Sequence, residues 1–206
     1  SNHVFQDISS VALALCCFAV AELAGGNGFI AAFVGGLTLG NTTERVRTHL
    51  YDFAEAEGQL LTLIMFMVFG SGMVIFAIQQ PDLNWPVVIL FSVLSLTLVR
   101  MIPVGISLLG MKLQPTSQLY LCWFGPRGIA SILFALIVLE RTAIPHHEEI
   151  FSVVIITVLI SVFAHGLTSW PLSKLYAESL ASAESPDDMP EHEDVAEIRS
   201  RYPLID

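Results

Sequence analysis

The sequence predicts an all-α membrane protein that crosses the bilayer several times. Hydrophobic residues make up 54% of the 206 residues and charged residues only 14%, whereas soluble globular domains are about 25% charged. The mean hydropathy is strongly positive. The apolar residues also gather into about six stretches of membrane-segment length, separated by short polar connections.

The first two apolar stretches are residues 9–24 and 29–40, with a Gly-Gly-Asn-Gly breaker between them. Both are short for spanning a bilayer, so they predict either one long bent helix or two short helices. Small residues recur at every fourth position of the second stretch, at Gly28, Ala32, Gly36 and Gly40. Such a stripe lets another helix approach closely, either inside the protein or across a homodimer interface.

Residues 41–58 are polar and predict a solvent loop or an interfacial helix. The third and fourth spans follow at 59–78 and 85–109, the latter opening on Trp85 as an interface anchor. The fifth and sixth spans are predicted at 119–139 and 150–170.

The chain divides by composition into a transmembrane part, residues 1–176, and an acidic tail, residues 177–206, predicted to be disordered or loosely helical. Nine of the 19 acidic residues lie after Ala177, so the net charge of −10 belongs largely to the tail. Nothing here favours nucleic-acid binding, which needs clustered Lys and Arg.

The basic residues predict the orientation. With six spans, one side carries Arg45, Arg47, Lys112 and Lys174, with Arg199 and Arg201 in the tail, and Arg141 lies opposite. The positive-inside rule then places both termini in the cytoplasm, whereas five spans would turn the N-terminus outward.

The fifth apolar stretch is interrupted by Gly125-Pro126-Arg127-Gly128. Proline removes a backbone donor, and the glycines let the chain leave helical geometry. From a helix start near Ser117, Arg127 lies about 15 Å into the bilayer, near the middle of a ~30 Å core. A cation there indicates a functional site; the alternative is a side chain that snorkels to the interface.

Arg100 is a second arginine inside a span, and few acidic residues are available to pair with Arg100 or Arg127. Glu22 lies near the first break, and Glu57, at the mouth of the third span, could reach Arg100. Spans three to six hold no carboxylate for Arg127, so it faces water and free carbonyls or pairs with a residue elsewhere. The alternative is that both arginines only tie helices together.

His165, near the end of the sixth span, could carry a proton or simply bond a neighbouring helix. His146 and His147 precede two glutamates in a short polar turn, which indicates a solvated loop and no metal site. The sequence has no phosphate-binding loop, nucleophile elbow or zinc helix, so neither an enzyme nor a cofactor is predicted. The three cysteines are interpreted as small core residues.

Three blocks in this chain resemble the second half of NhaP-type sodium/proton antiporters, a class that includes the animal sodium/proton exchangers. They are residues 21–37, 124–131 and the ending His165-Gly166-Leu167-Thr168, and the resemblance covers roughly residues 9–176. It implies an inverted-repeat fold in which the fifth span is a broken helix crossing at the midplane.

By the same resemblance, Arg100 matches the buried arginine of the preceding helix and Glu57 the acid that opens the helix before that. The first two spans match helices on the dimerisation side. The family's Thr-Asp-Pro-like and Asn-Asp-like ion motifs do not occur here. The resemblance therefore implies a C-terminal half, inactive alone, of a homodimeric antiporter in the cell membrane, with Na⁺ and H⁺ bound mostly by the N-terminal half.

Two other functions stay open at this point. A degenerate half could be a membrane scaffold that dimerises and does not transport. An anion transporter is the other alternative, because both intramembrane charges are positive.

Overall fold

The computed structural model describes residues 2–42, 44–111, 113–140 and 142–181, and these residues form helices without any strand. The prediction of an all-α protein is confirmed. The helices are α1 (Asn2–Leu23), α2 (Gly28–Thr42), α3 (Glu44–Val68), α4 (Val74–Ile78), α5 (Trp85–Leu96), α6 (Leu98–Ser107), α7 (Pro115–Trp123), α8 (Ile129–Glu140) and α9 (His147–Ala181). A π-helical turn, Phe69–Met73, joins α3 to α4.

Three helical stretches in the described part are long and apolar enough to cross a bilayer: Phe53–Ile78, Trp85–Ser107 and His147–Leu180. Three shorter apolar helices accompany them, at Ile8–Leu23, Gly28–Asn41 and Ile129–Glu140. The chain is therefore a multi-pass membrane protein. Lys112, Arg141 and the tail from 182 onward, with Arg199 and Arg201, lie outside the described residues.

The chain divides into two compact units at a boundary inside α3, between Leu63 and Ile64. In the first unit, α1 and α2 are two separate helices, because the backbone turns at Gly25, whose φ is +77°. Glu22 Oε1 caps α2 by accepting from the Gly28 N–H at 2.9 Å, and Asn27 Oδ1 accepts from Ile30 N at 3.0 Å.

Only part of the small-residue stripe is used inside the first unit. Gly28 is buried, and a Cβ there would collide with the Phe18 ring of α1. The other close approach is at Gly35, outside the predicted stripe, where a Cβ would lie 2.9 Å from Cys17 Sγ. Gly36 and Gly40 have open space around them. The packing side of α2 is therefore rotated from the one that the four-residue spacing indicated.

Two helices extend further than the sequence predicted. The polar segment 41–58 was expected as a loop or an interfacial helix, and residues 44–58 are helical and continue into the third span without a break. This segment is rich in good helix formers, and Glu55 accepts from Gln59 one turn later at 3.2 Å. The charged residues therefore do not mark a chain break.

The sixth span also extends further than expected. It was predicted to end at Trp170, yet α9 continues through Pro171 to Ala181. A proline inside a helix costs about 3 kcal/mol, but contacts with α7 hold the helix beyond it. Tyr120 stacks on Tyr176 at 4.6 Å, and its hydroxyl is 2.9 Å from Ser173 Oγ.

The second unit is built around α9, which packs against α4, α5, α7 and α8. Its apolar core consists of Phe69, Ala77, Val88, Ile132, Ala135, Phe151, Ile155, Ile156 and Val158. Phe76 and Phe151 meet edge to face, with ring centroids 5.6 Å apart. The core places α9 beside both halves of the interrupted fifth span.

Replacing Ile155 with alanine tests whether α9 is central. Its side chain is completely buried, so Ile155→Ala should leave a cavity and lower the unfolding free energy by about 2 kcal/mol or more. Ile150→Ala is the matched control, because Ile150 lies on the same helix and is 41% exposed. Denaturation in detergent micelles measures both, and equal losses would contradict the packing described.

Candidate functional site

The site is the unwound segment, residues 124–128, between α7 and α8. Helix α7 ends at Trp123, and Phe124 is already extended, with φ −74° and ψ 105°. Pro126 causes this locally, because it lacks an N–H and disfavours helical geometry at the residue before it. The predicted break in the fifth span is confirmed, and it frees polar backbone groups within an apolar protein.

Side chains from two other helices donate hydrogen bonds to the carbonyl groups at the end of α7. Arg100 Nη2, on α6, donates to the Phe124 carbonyl at 3.1 Å. His165 Nε2, on α9, is 3.0 Å from the Trp123 carbonyl. A carbonyl oxygen only accepts, so His165 carries a hydrogen on Nε2.

The position of the Arg100 side chain also explains why residue 125 is a glycine. A Cβ on Gly125 would coincide with the Arg100 guanidinium, so no larger residue fits beside this side chain. Gly128, at the other end of the segment, has no neighbouring atom within 4 Å of the same position. The two glycines of Gly-Pro-Arg-Gly therefore have different roles, and only Gly125 is required by a close approach.

On the C-terminal side of Pro126, Arg127 of the unwound segment is hydrogen-bonded to residues of α9 and α5. The backbone N–H of Arg127 donates to Ser161 Oγ at 2.9 Å. The Arg127 guanidinium donates from Nη2 to Ser95 Oγ at 3.2 Å. Ser161 Oγ is in turn 3.2 Å from His165 Nδ1. Arg127 is thus half-buried and hydrogen-bonded to the helices on either side.

Both arginines retain an unused donor. The Nε atoms of Arg100 and Arg127 are buried and have no hydrogen-bond partner among the described residues. The carboxylates of the described part of the second unit lie in loops and near helix ends, at Asp82, Glu140, Glu148, Glu149 and Glu178. Among the described residues of the second unit, positive charge is therefore concentrated at the break without a neighbouring carboxylate.

Sequence reasoning missed a polar stripe on α9. Its members are Thr157, Ser161, His165 and Thr168. Ser92 Oγ of α5 is 2.9 Å from Thr157 Oγ1, and Trp123 Nε1 donates to Thr168 at 2.9 Å. Their spacing of four, four and three residues is the signal that could have revealed a polar helix face.

The remaining predicted site residues lie away from this break or in the first unit. Glu22 caps α2, as described above. Glu57 lies on α3 in the first unit, and its pairing with Arg100 stays a prediction. His146, exposed before α9, contacts Glu149 at 3.2 Å, and His147 Nδ1 is 3.1 Å from the Ile144 carbonyl.

A discontinuous membrane helix with freed backbone groups at its break is a feature of the transporter class of membrane proteins. The transmembrane region of the sodium/hydrogen exchanger family matches residues 3–175, and the chain belongs to this family.

Two curated relatives support the assignment. The K⁺/H⁺ antiporter NhaP of Alkalimonas amylolytica is 25% identical over 188 residues, which cover 90% of this chain and 32% of the relative. The Na⁺/H⁺ antiporter NhaG of Bacillus atrophaeus is 28% identical over 180 residues, 83% of this chain and 33% of the relative. The chain thus spans about a third of these relatives' length. No solved structure gave a significant match.

Substituting the two glycines of the break tests the site geometry. Gly125→Ala should place a methyl group on the Arg100 guanidinium and lower the melting temperature, whereas Gly128→Ala should change it little. Thermal unfolding of the full-length protein in detergent measures both. In Arg100→Ala/Gly125→Ala the clash is gone, so the two effects should not add. Equal destabilisation by the two single substitutions would contradict this arrangement.

Proposed function

We propose that the full-length protein exchanges monovalent cations for protons across a cell membrane. Family membership supports this, and both relatives are named as cation/proton antiporters. The observation that carries the proposal is the unwound segment, where Arg100 and Arg127 hold a broken helix within an apolar protein. Transporters place their ion sites at such discontinuous helices.

The two arginines support the ion site and do not bind the cation themselves, because like charges repel. Each has a buried Nε that no described residue accepts from. We infer that carboxylates outside the described residues neutralise these positive charges in the full-length antiporter and bind either Na⁺ or H⁺. Arg127 and the freed backbone groups then fix the electric field where the broken helix crosses the midplane of the membrane. The 206 residues alone do not transport.

Exchange of one cation for one proton at a shared carboxylate site is electroneutral. In this mechanism the bundle that contains the broken helix moves against a second domain and exposes the site alternately to each side. We propose Na⁺ as the cation. The relatives' names include both K⁺ and Na⁺, so the choice of ion is a matter for direct measurement.

The further proposals concern assembly and location. Residues 1–176 are the membrane part and 177–206 a cytoplasmic tail, in a protein of the cell membrane whose termini both face the cytoplasm. The full-length protein forms a homodimer through the helices that are α1 and α2 in this chain. The open positions at Gly36 and Gly40 on α2 support this interface, because small residues let a second helix approach closely.

Anion transport is the second candidate, and it is favoured by one observation: the two charged side chains that contact the described break are both arginines. The described break has guanidinium donors and no carboxylate, which is chemistry that suits an anion. A scaffold without transport is the third outcome.

Proteoliposomes containing the full-length protein distinguish these functions. An inward proton gradient should dissipate on addition of Na⁺, reported by a pH-sensitive dye, with K⁺ and Li⁺ tested in parallel. Proton flux that ignores every cation but follows chloride would replace the proposal with anion transport. Absence of any flux from correctly folded protein would favour the scaffold.

Arg127 is expected to be needed for turnover. Arg127→Ala should slow exchange by about tenfold to a hundredfold, because buried hydrogen bonds from charged groups are worth about 1.5–3 kcal/mol. Arg127→Lys keeps the charge but not the planar group that reaches Ser95, so it should retain part of the rate.

Lys174→Ala is the matched control, since Lys174 is an exposed cation on α9 that contacts only Glu178 at 3.9 Å and the Trp170 ring. Initial rates at saturating Na⁺ provide the comparison. Similar losses from the Lys174 and Arg127 substitutions would show that net charge matters and the position does not.

A further inference from the structure

One helical turn of α9 contacts both sides of the unwound segment. Ser161 accepts the backbone N–H of Arg127, which follows the proline. His165, four residues later, meets the carbonyl of Trp123, which precedes it. The spacing matters because residues four apart lie on the same face of a helix. A single rigid element thereby fixes the distance between the two ends of the break.

We propose that Ser161 and His165 form a clamp that positions the unwound segment, with a hydrogen on His165 Nε2. This inference rests on the proposed function and adds two positioning residues to it. In this arrangement the Arg127 N–H donates to Ser161 Oγ, and His165 Nε2–H donates to Trp123 O.

Ser161 and His165 also contact each other. Ser161 Oγ is 3.2 Å from His165 Nδ1, and Nδ1 is 2.8 Å from the Ser161 carbonyl oxygen. The ring is therefore held at both nitrogens, at Nδ1 by its own helix and at Nε2 by the break.

The surroundings of His165 also hold the ring in place. The residue is 3% exposed. Trp123 stacks on the ring at 5.2 Å and Phe124 meets its edge at 6.4 Å. The charged groups nearest in the bonding network are Arg127, through Ser161, and Arg100, through the Phe124 carbonyl.

The clamp assigns His165 a role in geometry, which differs from the role of a proton carrier. A proton carrier must gain and lose charge during each cycle, whereas the clamp must keep its hydrogen on Nε2. The two roles differ in what substitution does to the pH dependence of transport, and in the state of the ring nitrogens.

Nitrogen-15 NMR of the full-length protein in bilayers, with labelled histidine, tests the protonation state directly. The His165 signals are identified by their loss in His165→Gln, with His147→Gln as the matched control. At about pH 7 the clamp predicts a hydrogen on Nε2, which donates to the Trp123 carbonyl. A ring whose hydrogen lies on Nδ1 alone would overturn the proposal.

Transport rates test the positioning role. His165→Gln keeps an amide donor near the Nε2 position and should cost less than about threefold, whereas His165→Asn and His165→Ala lose that donor and should cost about threefold to tenfold each. The pH midpoint of transport should stay unchanged in every variant. A shifted midpoint would identify His165 as a proton carrier and overturn the clamp.

Ser161→Ala removes the hydrogen bond from Arg127 in the break and the contact with His165, and it should slow transport by a similar factor. Ser152→Ala is its control, because Ser152 is equally buried on α9 but bonds only the Glu148 carbonyl one turn earlier. Equal rates for the two serine variants would overturn the clamp. If no cation drives flux, the proposed function fails, while the NMR measurement still decides the clamp.

Discussion

Backbone groups that leave a helix inside a membrane have no water to bond, and the rest of this structure depends on that constraint. Each unsatisfied N–H or C=O in hydrocarbon costs several kcal/mol. Pro126 breaks the helix and frees such groups on both of its sides. Other helices must therefore supply polar side chains at fixed positions, and α6 and α9 do so through Arg100, Ser161 and His165.

This requirement explains features that look unrelated in the sequence. A helix as apolar as α9 carries a stripe of hydroxyl and imidazole groups because the break lies along that face. Gly125 has no side chain because the Arg100 guanidinium occupies the space where a Cβ would be. The arginines are stabilised in turn by the same freed carbonyls and nearby hydroxyls, so the break and its cations support each other.

The same network links the architecture to the activity of the family. A preformed set of dipoles and charges at a helix break needs no rearrangement when an ion arrives, which suits a site that binds and releases an ion in each cycle. Each of the two guanidinium groups has an Nε donor that has no hydrogen-bond partner among the described residues. The break is thus a fixed arrangement of backbone dipoles and positive charges.

The amino-acid sequence alone was enough to establish the all-α membrane class, the position of the break and the family resemblance. These follow from composition and from a short local motif, which depend on neighbours in the chain. Sequence reasoning failed where a local signal was outweighed by packing. The sixth span was predicted to end at Trp170, but α9 continues through Pro171, where Tyr120 stacks on Tyr176.

Only the tertiary structure decided the partners of the site. The bonds to the break join residues 24, 34 and 42 positions apart in the chain. No periodicity encodes such pairs, because they depend on how helices pack in space. The packing distinguishes Gly125 from Gly128 and gives Arg127 its partners at Ser95 and Ser161. It also brings His165 into contact with both Ser161 and the Trp123 carbonyl.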